Sequence, residues 1–217
     1  MLKSNDVSSL LSSPDSLKYF KSIPSEGDVI NILSDLKHRV FPRPFERLSK
    51  LRNKKRLVGA EIGVCGGEHA LSLLRTFDLE RLYLIDPYSM YEDYTEGYKH
   101  YGADQKPLRD TEDSAKLLLE EYASRVVWVK ELSASATKFI AEDLDFVYID
   151  GNHAENFVKE DIENYYPLVK SGGVIGGHDF YNGFQLEHDG VISAVIEWAS
   201  KNNHNLKVEL PDWWVEK

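Results

Sequence analysis

The sequence predicts an α/β fold, a mostly parallel β-sheet with helices on both faces. Three observations predict it. After Lys55, short apolar runs alternate with helically spaced segments; a glycine cluster interrupts the first run; and polar or ionisable residues close every run. Strand–helix alternation implies right-handed crossovers and parallel pairing. Ligands of such sheets sit beyond the C-terminal strand ends, near the switch in strand order, and that is where the polar residues collect.

From Gly27 to about Lys55 the pattern is helical, with Val29, Ile30, Leu33 and Leu36 at three- and four-residue spacings. Pro42 and Pro44 break it, and "KLRNKKR" follows as a solvated connector, too short a basic stretch to make a groove. Residues 1–55 are therefore expected to form an N-terminal helical segment, a cap or an oligomer contact, ahead of a ligand-binding domain at 56–217. Five strand candidates follow: "LVGAEIGV", "RLYLID", "RVVWVK", "LDFVYID" and "GGVIGGHD". Helical stretches are expected at His69–Phe77, Thr111–Ala123, Ser133–Ala141, Ala154–Val169 and Val191–Ser200. In the fourth, Val158, Ile162 and Tyr165 share a face; in the fifth, Val191, Val195 and Trp198 do. The closing "LKVELPDWWVEK" splits at Pro211-Asp212, which predicts a hairpin of about Leu206–Leu210 and Trp213–Glu216 with one antiparallel strand.

Composition bounds the function. With 217 residues, 42% hydrophobic and 29% charged, the chain suits one soluble domain with a full core. No apolar run would span a bilayer, and the first residues lack the basic-then-apolar order of a secretion signal. Cys65 is the only cysteine, so an intramolecular disulfide is impossible and a cytoplasmic location is expected. The formal net charge of −10 argues against nucleic-acid partners and gives no support to an anionic membrane. A small or neutral substrate fits better.

The glycine cluster reads E-x-G-x-C-x-G from Glu61 to Gly67. Glycines after a first strand allow a sharp turn, close approach of a ligand and packing of the next helix. A dinucleotide fingerprint would be G-x-G-x-x-G with pyrophosphate at the helix N-terminus, but Glu68 puts a negative charge there. An acid opening the motif suits a cationic ligand such as a sulfonium or amino group. A second acid, Asp86, ends the second strand, where a carboxylate can accept hydrogen bonds from ribose hydroxyls.

Together with "KELS" after the third strand and "YIDGNH…GGVIGGHD", these residues resemble the class I S-adenosylmethionine-dependent methyltransferases. The resemblance is nearest to the small-molecule O-methyltransferase branch that includes macrolide sugar O-methyltransferases and cephalosporin-hydroxylase-like proteins. It runs from about Leu57 to the C-terminus, and "DFVYIDGNHAENFVKEDIENYYPLVKSGGVIGGHDF" is its most specific stretch. It implies a Rossmann-like sandwich on a seven-stranded, mostly parallel sheet with a C-terminal antiparallel hairpin. It implies Gly63 and Gly67 against the methionine moiety with Glu61 close by, Asp86 on the ribose, and Glu131, Leu132 and Ser133 edging the adenine. Cys65 replaces the middle glycine of the family motif; its thiol is expected to pack rather than react.

In metal-dependent members an acid ends strand four and an acidic or amide pair ends strand five. Here those positions are Asp150 and His178-Asp179, with His153 three residues beyond Asp150. Two alternatives stay open. A divalent cation (magnesium, manganese or zinc) sits on Asp150, His178 and Asp179 and lowers the pKa of an acceptor hydroxyl; or Asp150 with His153 or His178 supplies a general base. The imidazole departs from magnesium's preference for oxygen. The tyrosines of "PYSMYEDYTEGYKHYGADQKP" read equally as a lid over a sugar or aromatic acceptor or as a short helix on the sheet. The expected protein is thus an O-methyltransferase of a small molecule, with a homodimer as a further expectation. A nucleotide- or nicotinamide-binding enzyme and a non-catalytic S-adenosylmethionine-binding module are the alternatives.

Overall fold

The computed structural model describes residues 41–91, 105–180 and 189–217. Within the compact unit Pro42–Lys217, the strands form where apolar residues run without alternation. β1 (Leu57–Ile62) and β4 (Leu144–Ile149) are buried at every position, β1 even at Glu61 and β4 even at Asp145. That is the signature of strands covered on both faces. The remaining strands are β2 (Leu79–Ile85), β3 (Val126–Val129), β5 (Val169–Gly177), β6 (Lys207–Glu209) and β7 (Asp212–Glu216).

Among the described residues these seven strands make one sheet in the order β3-β2-β1-β4-β5-β7-β6. The first five pair in parallel, and β7 runs antiparallel to both β5 and β6. The chain steps outward from β1 to β3, then returns to β4 on the other side of β1. The switch in strand order therefore lies between β1 and β4, and a crevice opens at their C-terminal ends. The ends are level, with Ile62 opposite both Ile85 and Ile149.

Alternate side chains divide between two cores. One face carries Ala60, Ile62, Val147 and Ile149 against Val158, Ile162 and Tyr165 of α5 (Glu155–Tyr165) and Val191, Val195 and Trp198 of α6 (Asp189–Lys201). The other carries Leu57, Leu82, Leu84, Phe146 and Tyr148 against Leu73 and Leu74 of α2 (Glu68–Thr76) and against Phe45 and Leu51. Phe45 opens a 3₁₀ turn, Phe45–Arg47, and Leu51 lies in the short α1 (Ser49–Arg52).

Several expected boundaries move. Residues 42–55, expected with the N-terminal segment, belong to the same compact unit as the sheet, because Phe45 and Leu51 bury completely in its core. Most of the helical pattern expected from Gly27 lies outside the described residues, as do Tyr94, Tyr98 and Tyr101. The helix expected at Thr111–Ala123 is α3 (Lys106–Leu118), with a proline in its first turn, where a missing N–H costs nothing. The one expected at Ser133–Ala141 is only α4 (Ser133–Ala136), followed by a 3₁₀ turn. α5 stops at Tyr165, since Pro167 cannot continue it, and Val169 opens β5. The hairpin forms as expected, with bounds shifted by a residue or so.

The connector's cations meet acids on the surface: Lys50 with Glu216, Lys55 with Asp78 and Arg56 with Glu80. None of the described helices is long and apolar enough to cross a membrane.

Candidate active site

A cavity open to solvent lies over the ends of β1, β2, β3 and β4. Its floor is the loop after β1. Gly63 has φ +83°, and a Cβ there would lie 2.0 Å from the carbonyl oxygen of Asp150, so only glycine lets the two strand ends meet. Gly67 also has positive φ, but a Cβ there would face Ala115 and Leu119. It is not among the residues that line the cavity.

Asp86, at the end of β2, holds this loop in shape. Its Oδ2 accepts hydrogen bonds from the backbone N–H groups of Val64 and Cys65, both at 3.0 Å, and its Oδ1 accepts from Tyr88 N–H at 2.8 Å. Tyr88 is buried and donates its hydroxyl to the Cys65 carbonyl at 2.8 Å. Burial pushes the Asp86 carboxyl up, against the pull of those amides. A carboxylate has about four acceptor positions, so three backbone bonds leave capacity for a ligand hydroxyl in the cavity that Asp86 lines. Cys65 lines the same cavity and is exposed, at φ +48°. This corrects the expectation that its thiol packs.

Leu132 and Ser133 line the cavity from the third strand end, together with Gly151 from the fourth. Glu131 is not among the lining residues. Ser133 is held by α5: Tyr165 donates to its carbonyl at 2.8 Å, and Asp161 hydrogen-bonds it. Asp161 is buried, lines the cavity and is pushed up to about 7 by that burial. Sequence reasoning missed Asp161; its position on the buried face of α5, one turn before Tyr165, was the available signal.

Glu61 does not line the cavity. It is 1% exposed and turns to the opposite side of the sheet, where its Oε1 lies 2.8 Å from His69 Nδ1. His69 Nε2 is in turn 3.7 Å from Glu46 Oε2. Burial drives Glu61 well above the usual carboxylate range, with the Asp150 charge adding to it, and drives His69 well below the usual imidazole range. The acid expected beside the ligand is thus paired with His69, away from the cavity lining.

The acceptor-side residues do converge. Asp179 follows β5 with φ +59°, a left-handed conformation that costs a non-glycine residue of order 1 kcal/mol. Its Oδ2 lies 2.8 Å from His153 Nε2 and its Oδ1 3.0 Å from His178 Nδ1. Asp150 Oδ1 is 3.7 Å from His153 Nε2 and 3.8 Å from His178 Nδ1. One ligand atom each from Asp150, His153 and Asp179 lie within 4.8 Å of one another. His178 stands outside that triad. Burial pushes its pKa down, but Asp150 and Asp179 outweigh burial and raise it. His153, expected from the sequence as a base, supplies the imidazole of that triad in place of His178, the expected ligand.

A residue from the expected N-terminal segment, between the two prolines that break its helical pattern, completes the cluster. Arg43 Nη1 donates to Asp150 Oδ2 at 2.8 Å and to the Tyr148 hydroxyl at 2.9 Å. Burial pushes Asp150 up, yet His178 and Arg43 outweigh it and hold its carboxyl below the usual range; His153 and His178 do the same for Asp179. Beside Asp150, Asn152 accepts from Ala154 N–H at 3.0 Å, closing a local turn ahead of α5, and donates to the Tyr91 hydroxyl at 3.2 Å.

Comparison with known proteins bears on this geometry. Residues 60–180 match a family model described as a methyltransferase domain. No curated protein matches the chain. Among solved structures, cofactor-bound Rv0187 from MTB has a TM-score of 0.59 at 15% identity, over 94% of this chain and 96% of that one. The O-methyltransferase NovP has a TM-score of 0.55 at 17% identity, over 87% and 80%. CalS11, a calicheamicin methyltransferase, has 0.53 at 16%, over 98% and 90%. At such identities the likeness is one of fold.

Proposed function

The chain belongs to the methyltransferase-domain family, and we propose that it transfers a methyl group from S-adenosylmethionine to a hydroxyl of a small molecule. The observation that carries this reading is the two-ended site. Asp86 and the Leu132–Ser133 edge line one part of the cavity, and Asp150, which lines another part, anchors the Asp150–His153–Asp179 cluster. Asp86 would accept from the ribose hydroxyls, Leu132 and Ser133 would border the adenine, and the loop at Gly63 would let the methionine portion approach the backbone. The name of NovP, an O-methyltransferase, agrees with an O-methylation reading.

Methyl transfer needs a deprotonated oxygen aligned with the sulfonium methyl. The carbon–sulfur bond breaks as the carbon–oxygen bond forms, S-adenosylhomocysteine leaves with the electron pair, and the hydroxyl proton goes to a base. The donor set fits a divalent cation, with two carboxylate oxygens and an imidazole nitrogen converging; the nitrogen favours manganese or zinc over magnesium. Such a cation would supply Lewis acidity that lowers the pKa of the acceptor hydroxyl. Asp179, oriented by His178, would keep His153 aimed into the cluster.

A second reading rests on one observation. Arg43 already pairs with Asp150, and His178 with Asp179, so His153 paired with Asp179 could take the proton directly. The experiment is methyl transfer from labelled S-adenosylmethionine to a panel of phenols and sugars, before and after exhaustive chelation. Activity lost on chelation and restored by manganese or zinc supports the cation. Full activity in the chelated enzyme supports the histidine base. No transfer to any hydroxyl acceptor, with transfer to an amine or thiol, overturns the O-methylation reading.

A further inference from the structure

Arg43 lies outside the segment that matches the family model, ahead of β1 and between two prolines. Its side chain is nonetheless only 11% exposed. It is anchored through Tyr148 on β4, whose hydroxyl donates to Asp212 Oδ1 at 3.0 Å. Asp212, at the start of β7, also accepts from Phe45 N–H at 2.9 Å, so one buried carboxylate ties the Arg43 segment to the sheet. Prolines on either side restrict the backbone that presents the guanidinium. The arrangement is therefore built, with both ends of the arginine fixed.

Its effect falls on Asp150. Arg43 occupies Oδ2, and only Oδ1 faces His153 and His178. We propose that Arg43 is a positioning residue of the acceptor site, limiting Asp150 to a one-oxygen ligand of a divalent cation and sharing its negative charge. This rests on the cation reading above. Two consequences oppose each other: fixing the carboxylate favours binding, while a guanidinium charge next to the ligand disfavours it. At distances of a few ångströms inside a protein the charge term is the larger. Asp150 so held neutralises a cation less than a bare carboxylate would, leaving more of its charge for an acceptor oxygen.

The test is calorimetric titration of the whole chain with Mn²⁺ in the presence of S-adenosylhomocysteine, for the wild type, Arg43→Gln and Arg43→Lys. Arg43→Gln is expected to bind Mn²⁺ at least tenfold more tightly, with S-adenosylhomocysteine affinity within twofold of wild type. Arg43→Lys, which keeps the charge, should stay within threefold of wild type for Mn²⁺. A crystal of the wild type soaked in Mn²⁺ should show Asp150 bound through one oxygen with Arg43 on the other. A gain in affinity is not what a damaged fold produces. Unchanged or weaker Mn²⁺ binding in Arg43→Gln, with S-adenosylhomocysteine binding intact, overturns the proposal alone. Equal loss of both ligands in both variants marks a structural role and also overturns it. Absence of Mn²⁺ binding in the wild type overturns the cation reading, and this proposal with it.

Discussion

Asp150 and Glu61 lie at the ends of neighbouring strands and titrate in opposite directions. Arg43 and His178 beside Asp150 hold its carboxyl below the usual range, while burial pushes Glu61, paired with His69, well above it. Two expectations follow for Glu61. Glu61→Gln, which keeps a neutral polar group of the same shape, should cost about 1 kcal/mol or less. Glu61→Ala should cost about 3 kcal/mol, through the cavity and the loss of the 2.8 Å partner of His69. Chemical denaturation of both variants checks this, and equal losses would contradict it. Asp161 gives a pH test. Its pKa is raised from 3.8 to about 7, so its contribution to stability is complete below the unfolded value and is lost as pH rises through 7. Asp161→Asn does not titrate there. The variant should therefore gain on wild type between pH 4 and 7, by on the order of 4 kcal/mol; parallel stability profiles would contradict the burial account. Asp86, Asp150 and His153 were legible in the sequence because strand ends are where an α/β sheet puts its chemistry. Arg43, His69 and Asp161 were not. The Arg43–Asp150 contact spans 107 positions, and no periodicity encodes which distant chain end closes over a strand.

The strands were legible as elements because burial on both faces leaves an unbroken apolar run. Helix limits were less so, since they are set by local events that periodicity does not report: a proline in the first turn of α3, a proline after α5, and a third strand end that supports barely one turn of helix. The loop between β1 and α2 is where element geometry bears most on function. Gly63→Ala would put a methyl group 2.0 Å from the Asp150 carbonyl oxygen while holding φ at +83°. Neither strand end can yield without breaking the pairing of Ile62 with Ile149. The expected loss is about 3 kcal/mol or more, together with loss of S-adenosylhomocysteine binding. Thermal melting with and without that ligand measures both. A stable variant that still binds would mean the strand ends are not in contact. At the other edge, Trp213 is wholly buried on β7, so Trp213→Ala should cost about 3–5 kcal/mol.

For the molecule as a whole, the sheet order puts the switch between β1 and β4, and Asp86, Leu132, Ser133, Asp150 and Asp179 lie at the C-terminal strand ends around it. The formal charge of −10 and the carboxylates in the site suit a cationic sulfonium cofactor rather than an anionic dinucleotide. In the proposed arrangement S-adenosylmethionine binds at Asp86, and the acceptor lies where the same cavity reaches Asp150 and, through it, the His153–Asp179 pair. Calorimetric titration with S-adenosylhomocysteine, set beside NAD, tests it. One-to-one binding of S-adenosylhomocysteine and none of NAD is expected. Asp86→Ala should weaken that binding by about 1.5–3 kcal/mol, and Asp179→Asn should leave it within twofold. Binding of NAD in preference, or an Asp179→Asn loss as large as that of Asp86→Ala, would contradict it.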